Sequence, residues 1–140
     1  MDPTADPGIS VFFSCEIDAI DLGSWTTCSG LGISMESTAR GDSSLSFWMH
    51  HLHGHTTYSN VTLSRPVSPD TDKIMNWMSG FALMPAPTVA QINALDPTLN
   101  VIFTWSLWGV RPVRWTGPSF DAANPSVATE QLEIAYQGFL

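Results

Sequence analysis

Along this chain, apolar and polar positions alternate in short runs far more often than they repeat at helical spacing. Ile9, Val11, Phe13, Cys15 and Ile17 fall on every second residue, as a half-buried strand requires, with Phe12 interrupting the polar side. Asp21-Leu22-Gly23 then predicts a turn, and Gly30 and Gly32 in "CSGLG" predict a bulge or sharp bend. From Ile33 to Arg65 the pattern fits a long hairpin. Met35 and its neighbours run up, "ARGDSS" reverses, and "LSFWMHHL" returns with Leu45, Phe47 and Met49 on one face and Trp48 and Leu52 on the other. A strand that is apolar on both faces needs two surfaces to pack against.

The period changes once. In "SPDTDKIMNWMSGF", Ile74, Trp77, Met78 and Phe81 fall at i, i+3, i+4 and i+7, one apolar stripe of a helix. Ser68 is the expected N-cap, Pro69 the first helical residue and Gly80 the terminator, with Asp70 and Asp72 at the positive end of the helix dipole. Strand spacing then resumes in "TVAQINAL", turns at "DPTLN" and continues in "VIFTWSLW", where Val101, Phe103, Trp105 and Leu107 share a face and Gly109 ends or bends the strand. "VRPVRWTGP" is extended, with breaks at Pro112 and at Gly117-Pro118. In "VATEQLEIAYQGF", Ala128, Glu130, Leu132, Ile134 and Tyr136 alternate with Val127, Thr129, Gln131, Glu133, Ala135 and Gln137. The expected fold is mainly β: two packed antiparallel sheets forming a small barrel or sandwich, with one short flanking helix. At 140 residues the chain is read as a single domain, 1–140.

Charge narrows the function. Thirteen acidic against five basic residues give a net −8, and Arg40, Arg65, Lys73, Arg111 and Arg114 are scattered, so binding to nucleic-acid phosphates is not expected. No apolar run reaches bilayer length, and "MDPTADPGIS" lacks the basic start and apolar core of a signal peptide, so the expectation is a protein made in the cytoplasm without a membrane anchor. Two cysteines, Cys15 and Cys28, are too few for a disulfide scaffold and read as free buried thiols.

Candidate chemistry is thin. His51, His53 and His55 are two apart and would share a strand face, but Gly54 interrupts them and no carboxylate or cysteine nearby supplies a fourth metal ligand. Polar residues at a strand end are the simpler reading. Catalytic signatures such as G-x-S-x-G and the phosphate-binding loops do not occur. Glu130 and Glu133, at odd spacing on a strand, point to opposite faces and cannot flank one bond; a solvated charge partnered to an arginine is the better reading. Neither catalytic residues, cofactor nor metal is expected. Six tryptophans are many for this length, and Trp105 and Trp108, three apart on a strand, fall on opposite faces. One of such a pair suits the core, and the other suits burial by a second subunit. A carbohydrate- or metal-binding β-sandwich module, resting on the Trp and His content, is the rival of a different class.

Three blocks, "WTTCSGLGISME", "LHGHTTYSNVTLSRPVSPDTDKIMNWM" and "VRPVRWTGPSFDAANPSVATEQLEIAYQGFL", resemble successive segments of the phage tail tube protein family, in order and spacing, from about Trp25 to the C-terminus. That family is shared by contractile phage tails and phage-tail-like contractile injection systems. Two departures stand out: the family's L-P-G-R is Leu52-His53-Gly54-His55, and its A-H-x-G is Ala135-Tyr136-Gln137-Gly138. The resemblance implies a non-enzymatic subunit assembling as homo-hexameric rings that stack into a hollow tube. A surrounding contractile sheath would propel the tube, with baseplate, initiator and terminator proteins at its ends and cargo in its lumen. It also implies that hairpins of neighbouring subunits join around the lumen, with Ile33–Leu52 in the position of such a hairpin. The residues expected at subunit contacts are Arg40, Leu45, Phe47, Trp48, Leu52, Gly54, Trp108 and Trp115. A baseplate-proximal tube initiator of the same family is the alternative role. Assembly into a tail or tail-like particle, with release from the cell, is the implied location.

Overall fold

The computed structural model describes residues 12–36 and 55–140. Ten strands and one helix follow in the order β1 (Phe12–Ile17), β2 (Ile20–Trp25), β3 (Thr27–Ser29), β4 (Ile33–Glu36), β5 (His55–Tyr58), β6 (Val61–Pro66), α1 (Thr71–Leu83), β7 (Thr88–Leu95), β8 (Val101–Thr116), β9 (Thr129–Ala135) and β10 (Gly138–Phe139). Eight strands form one antiparallel sheet in the order β2-β1-β7-β8-β9-β6-β3, with β10 also on β8; β4 and β5 form a separate two-stranded ribbon. Among the described residues the chain adopts the expected β-rich architecture with one helix.

The two ends of that strand order, β2 and β3, are consecutive in the chain, separated only by Thr26. Thr26 donates both its backbone N–H and its hydroxyl to the carbonyl of Ser64, each at 2.9 Å. The sheet therefore folds onto itself as two layers, with the chain crossing between them at Thr26. The second crossing is made by β8, whose 16 residues pair with β7 through Val110 and with β9 from Arg111 onward.

Bulges let β8 serve both layers. Ala90 pairs with Leu107 and Thr88 with Val110, so Trp108 and Gly109 together oppose Val89. Gly109 sits at φ 65°, where the side chain of Gln137 fills the space a Cβ would need. The register slips again between Pro112 and Arg114. Each slip reverses the in–out alternation: Leu107 and then Val110 are buried, and Trp115 turns inward again. The strand thus bends at Gly109 and runs through Pro112, where an end or a break was expected.

Buried apolar residues from both layers form one core: Cys15, Ile17, Leu22 and Trp25 from β1 and β2, Ala90, Ile92, Leu107 and Val110 from β7 and β8, and Val61, Leu63, Leu132 and Ile134 from β6 and β9. Ile74 and Trp77 close it from α1, with Met78 and Phe81 half-buried beside them, so the apolar stripe read from the sequence is the face the helix uses. Cys15 and Cys28 are free. Burial, joined by the neighbouring Cys28, pushes the Cys15 thiol up to about 12, and burial pushes Cys28 up to about 11. At pH 8 both are expected to stay protonated and unreactive toward a thiol-disulfide reagent until the protein is unfolded. Rapid labelling of the native protein would contradict this.

Three local expectations are corrected. The β1–β2 turn lies at Asp18-Ala19, both left-handed at φ 52° and 62°, as a two-residue hairpin turn needs. Asp21-Leu22-Gly23 lies within β2, where the Asp21 carboxylate accepts the Gly23 N–H at 2.8 Å and the register slips. The helix begins at Thr71 instead of Pro69: Asp70 occupies the N-cap, and Ser68 Oγ accepts the Asp70 N–H at 3.2 Å in the turn before it. Gly80 does not end the helix, which runs to Leu83 and stops against Pro85.

The β7–β8 turn falls where "DPTLN" placed it. Asp96 Oδ1 accepts the Thr98 N–H at 2.9 Å, the Thr98 hydroxyl at 2.7 Å and the Asn100 N–H at 2.8 Å. These bonds, the Thr98 hydroxyl's foremost, hold the Asp96 carboxyl below the usual carboxylate range. A depressed folded-state value stabilises the fold above the ordinary carboxylate pKa of about 3.9, and that support is lost as pH falls through the folded value. Asp96→Asn is expected to flatten the stability–pH curve below about pH 4; an unchanged acid limb would show that the turn does not couple to folding.

Candidate assembly surfaces

The most polar interior feature is a closed cluster. Glu130 is fully buried on β9, and Arg65 on β6 is 3% exposed. Their register pairing brings Arg65 Nε to Glu130 Oε1 at 2.7 Å. The carboxylate also accepts the Thr71 hydroxyl at the start of α1 and the Trp115 indole N–H from β8, each at 3.0 Å. Arg65 Nη1 donates to the carbonyls of Leu22 and Ser24, and the guanidinium stacks over Trp25 at 4.0 Å. One arginine thereby fills the gap between β6 and β2 that no backbone ladder bridges. Glu130 is partnered to an arginine, as expected, but it is buried instead of solvated; Glu133 points outward and accepts Asn60 Nδ2 at 3.0 Å. With its carboxylate engaged by Arg65, Thr71 and Trp115, this cluster is built to hold elements together.

Open surfaces lie elsewhere. The β4–β5 ribbon pairs Ile33 with Tyr58 and Glu36 with His55, and no third strand joins it among the described residues. Ile33 is 50% and Met35 73% exposed on it. The ribbon is anchored at its base: the Tyr136 hydroxyl donates to the Gly32 carbonyl at 3.1 Å, and Tyr58 packs against Tyr136 and Phe139 with ring centroids 5.5 and 5.6 Å apart. Gly30, at φ 94°, makes the corner that sends the chain out of the sheet, and a Cβ there would overlap the carbonyl of Asn60.

Of the residues expected at subunit contacts, Arg40, Leu45, Phe47, Trp48, Leu52 and Gly54 lie outside the described residues, as do His51 and His53. Trp108 is 43% exposed on the outer side of β8, where strand alternation from the buried Leu107 puts it, while Trp105 faces the core. Trp115 is half-buried, its N–H engaged by Glu130. His55 is exposed on β5, and among the described residues no three of His, Cys, Asp and Glu gather as a metal site would need. No helix among them is long and apolar enough to cross a membrane. Exposed apolar residues unmarked in the sequence lie at the two ends of the β1–β7–β8 layer: Leu99, Val101 and Phe103 at one, Ile20 and Val89 at the other.

Solved structures share this fold. A chain of the PVC sheath–tube complex, an extracellular contractile injection system in its extended state, matches with a TM-score of 0.73 at 18% identity, covering 98% of this chain and 92% of that one. A chain of the anti-feeding prophage cap matches at 0.67 and 22% identity, covering 96% and 93%. Hcp1 from Flavobacterium johnsoniae matches at 0.56 and 14% identity, covering 89% of each. No curated protein matches in sequence. The model of the family described as T4-like virus tail tube protein gp19 fits residues 10–140, so the resemblance read from three sequence blocks extends over nearly the whole chain. The chain therefore belongs to the T4-like virus tail tube protein family.

Proposed function

We propose that this structural protein is the repeating inner-tube subunit of a contractile tail or injection particle, assembling as hexameric rings that stack into a hollow tube inside a contractile sheath. The observation that carries this reading is the β4–β5 ribbon, which no third strand joins among the described residues. A two-stranded sheet is marginal by itself, and its edges, unpaired among the described residues, together with exposed Ile33 and Met35 suit pairing with the same element of a neighbouring copy. Repeated around a ring, such pairing would join the hairpins into one wall and leave no sheet edge in solvent. The proteins named in the matching structures, which include a sheath–tube complex, a baseplate and tube-terminating caps, supply the kinds of partner expected here. Cargo would travel in the lumen, and the assembled particle would be released from the cell that made it.

Negative-stain microscopy of the purified full chain tests the reading, alone and with its sheath and baseplate proteins. Rings or stacked tubes of six-fold symmetry are expected. A protein that stays monomeric at high concentration and with those partners, and instead binds glycans or zinc, would overturn it. A single ring found only at the baseplate end would assign the initiator role.

A further inference from the structure

The strands of the β1–β7–β8 layer run end to end, so its two ends are fixed by the register. Phe12, Leu95 and Val101 are paired at one end, and Thr88 pairs with Val110 at the other. Eight residues of β7 separate them, about 26 Å. At the first end the β7–β8 turn projects Leu99, 62% exposed and at φ 69°, a left-handed conformation that a branched apolar residue adopts only under constraint. The three bonds to Asp96 Oδ1 and the Leu99 N–H to the Asp96 carbonyl at 2.9 Å supply that constraint. A rigid turn thus presents a leucine outward.

At the opposite end there is a groove of about 260 Å³ between α1 and the β1–β2 turn. Its lining includes Ile20, Trp77, Phe81 and Met84, with Asp18 at its edge. It also includes Thr88, whose Oγ1 is buried and has no partner among the described residues. The groove is mostly apolar and holds more than a leucine side chain needs. We propose that the groove receives the Leu99 turn of a second copy of this chain, head to tail. A projection at one end and its receptor at the other make a heterologous contact that does not close, and such a contact propagates as a stack. Area fixes the context. One turn in one groove buries far less than the roughly 800 Å² per partner of a stable interface, so single copies stay apart, while rings that make the contact several times at once stack through multivalency. The inference rests on the tube reading above and supplies its stacking contact.

Two variants test it. Leu99→Asn removes the apolar side chain and keeps a residue that tolerates the left-handed turn. Gly80→Leu fills the groove from a helix position where an added Cβ meets nothing within 4 Å, and it favours the helix. Under conditions where the wild type forms tubes, each variant is expected to give rings with at least a tenfold loss of mean stack length by electron microscopy. Mixed together, the variants retain one intact turn and one intact groove and should form stacks of two rings. Either variant stacking to wild-type length would overturn the proposal and leave the tube reading standing; a wild type that never forms rings would sink both. If a variant does not fold, a benzophenone photocrosslinker at position 99 of the full chain decides. Crosslinks to Phe81 or Met84 of another copy support the contact, and crosslinks elsewhere, including to the chain's own residues 1–11 or 37–54, overturn it.

Discussion

Glu130→Ala is expected to cost the fold about 3–5 kcal/mol, the largest effect of any single substitution considered for this protein. The reason is what it leaves behind. Arg65 is 3% exposed, and without the carboxylate its guanidinium charge stays in the core with only two carbonyls and the Trp25 ring for compensation. The Trp115 N–H and the Thr71 hydroxyl lose their shared acceptor at the same time. The damage therefore reaches β8 and the first turn of α1 as well as β6 and β9. Arg65→Met/Glu130→Met, which removes both charges, is expected to be less destabilised than Glu130→Ala, because a buried pair contributes little net stability while a widowed charge costs much. Chemical denaturation of the singles and the double measures this. A double variant as unstable as the sum of its singles would show that the residues act independently.

Gly30→Ala should be second, at roughly 3 kcal/mol. Its φ of 94° is unfavourable for any residue with a Cβ, and the added methyl would overlap backbone, the Asn60 carbonyl, which cannot rotate away as a side chain can. The strain falls where β3 turns into the ribbon, opposite the start of β6. Thermal unfolding is expected to drop, and hydrogen exchange at β4 and β5 to rise before the rest of the sheet is affected. Substituting Gly80, where a Cβ meets open space, is the matched control and should leave stability unchanged or raised. Equal losses at both glycines would show that packing, and not backbone conformation, sets the cost.

Much of this fold is legible because its signals are local. The alternation in β1 and the stripe Ile74, Trp77, Met78 and Phe81 mark the faces that pack inward, since strand and helix periods depend only on neighbouring positions. What stayed hidden depends on distant partners. Asp18-Ala19 lacks the glycine that marks a tight turn, and only the pairing of Ile17 with Ile20 forces both residues left-handed. Thr71, the first helical residue, meets through its hydroxyl Glu130, 59 positions along the chain. Glu130 looked like a surface charge because nothing near it in sequence announces Arg65. Of the assembly surfaces, the apolar return strand read at Leu45–Leu52 lies outside the described residues, and the groove at Phe81 and Met84 arises only when α1 docks beside the β1–β2 turn.

β8 has a mechanical consequence. At 16 residues and about 3.3 Å per residue it is a strut some 50 Å long, gripped by β7 over one half and by β9 over the other. A thrust directed along it loads both hydrogen-bond ladders in shear, so many bonds resist together instead of opening one after another. The bulge at Gly109, where the ladders change hands, is then the point at which such a strut would buckle first.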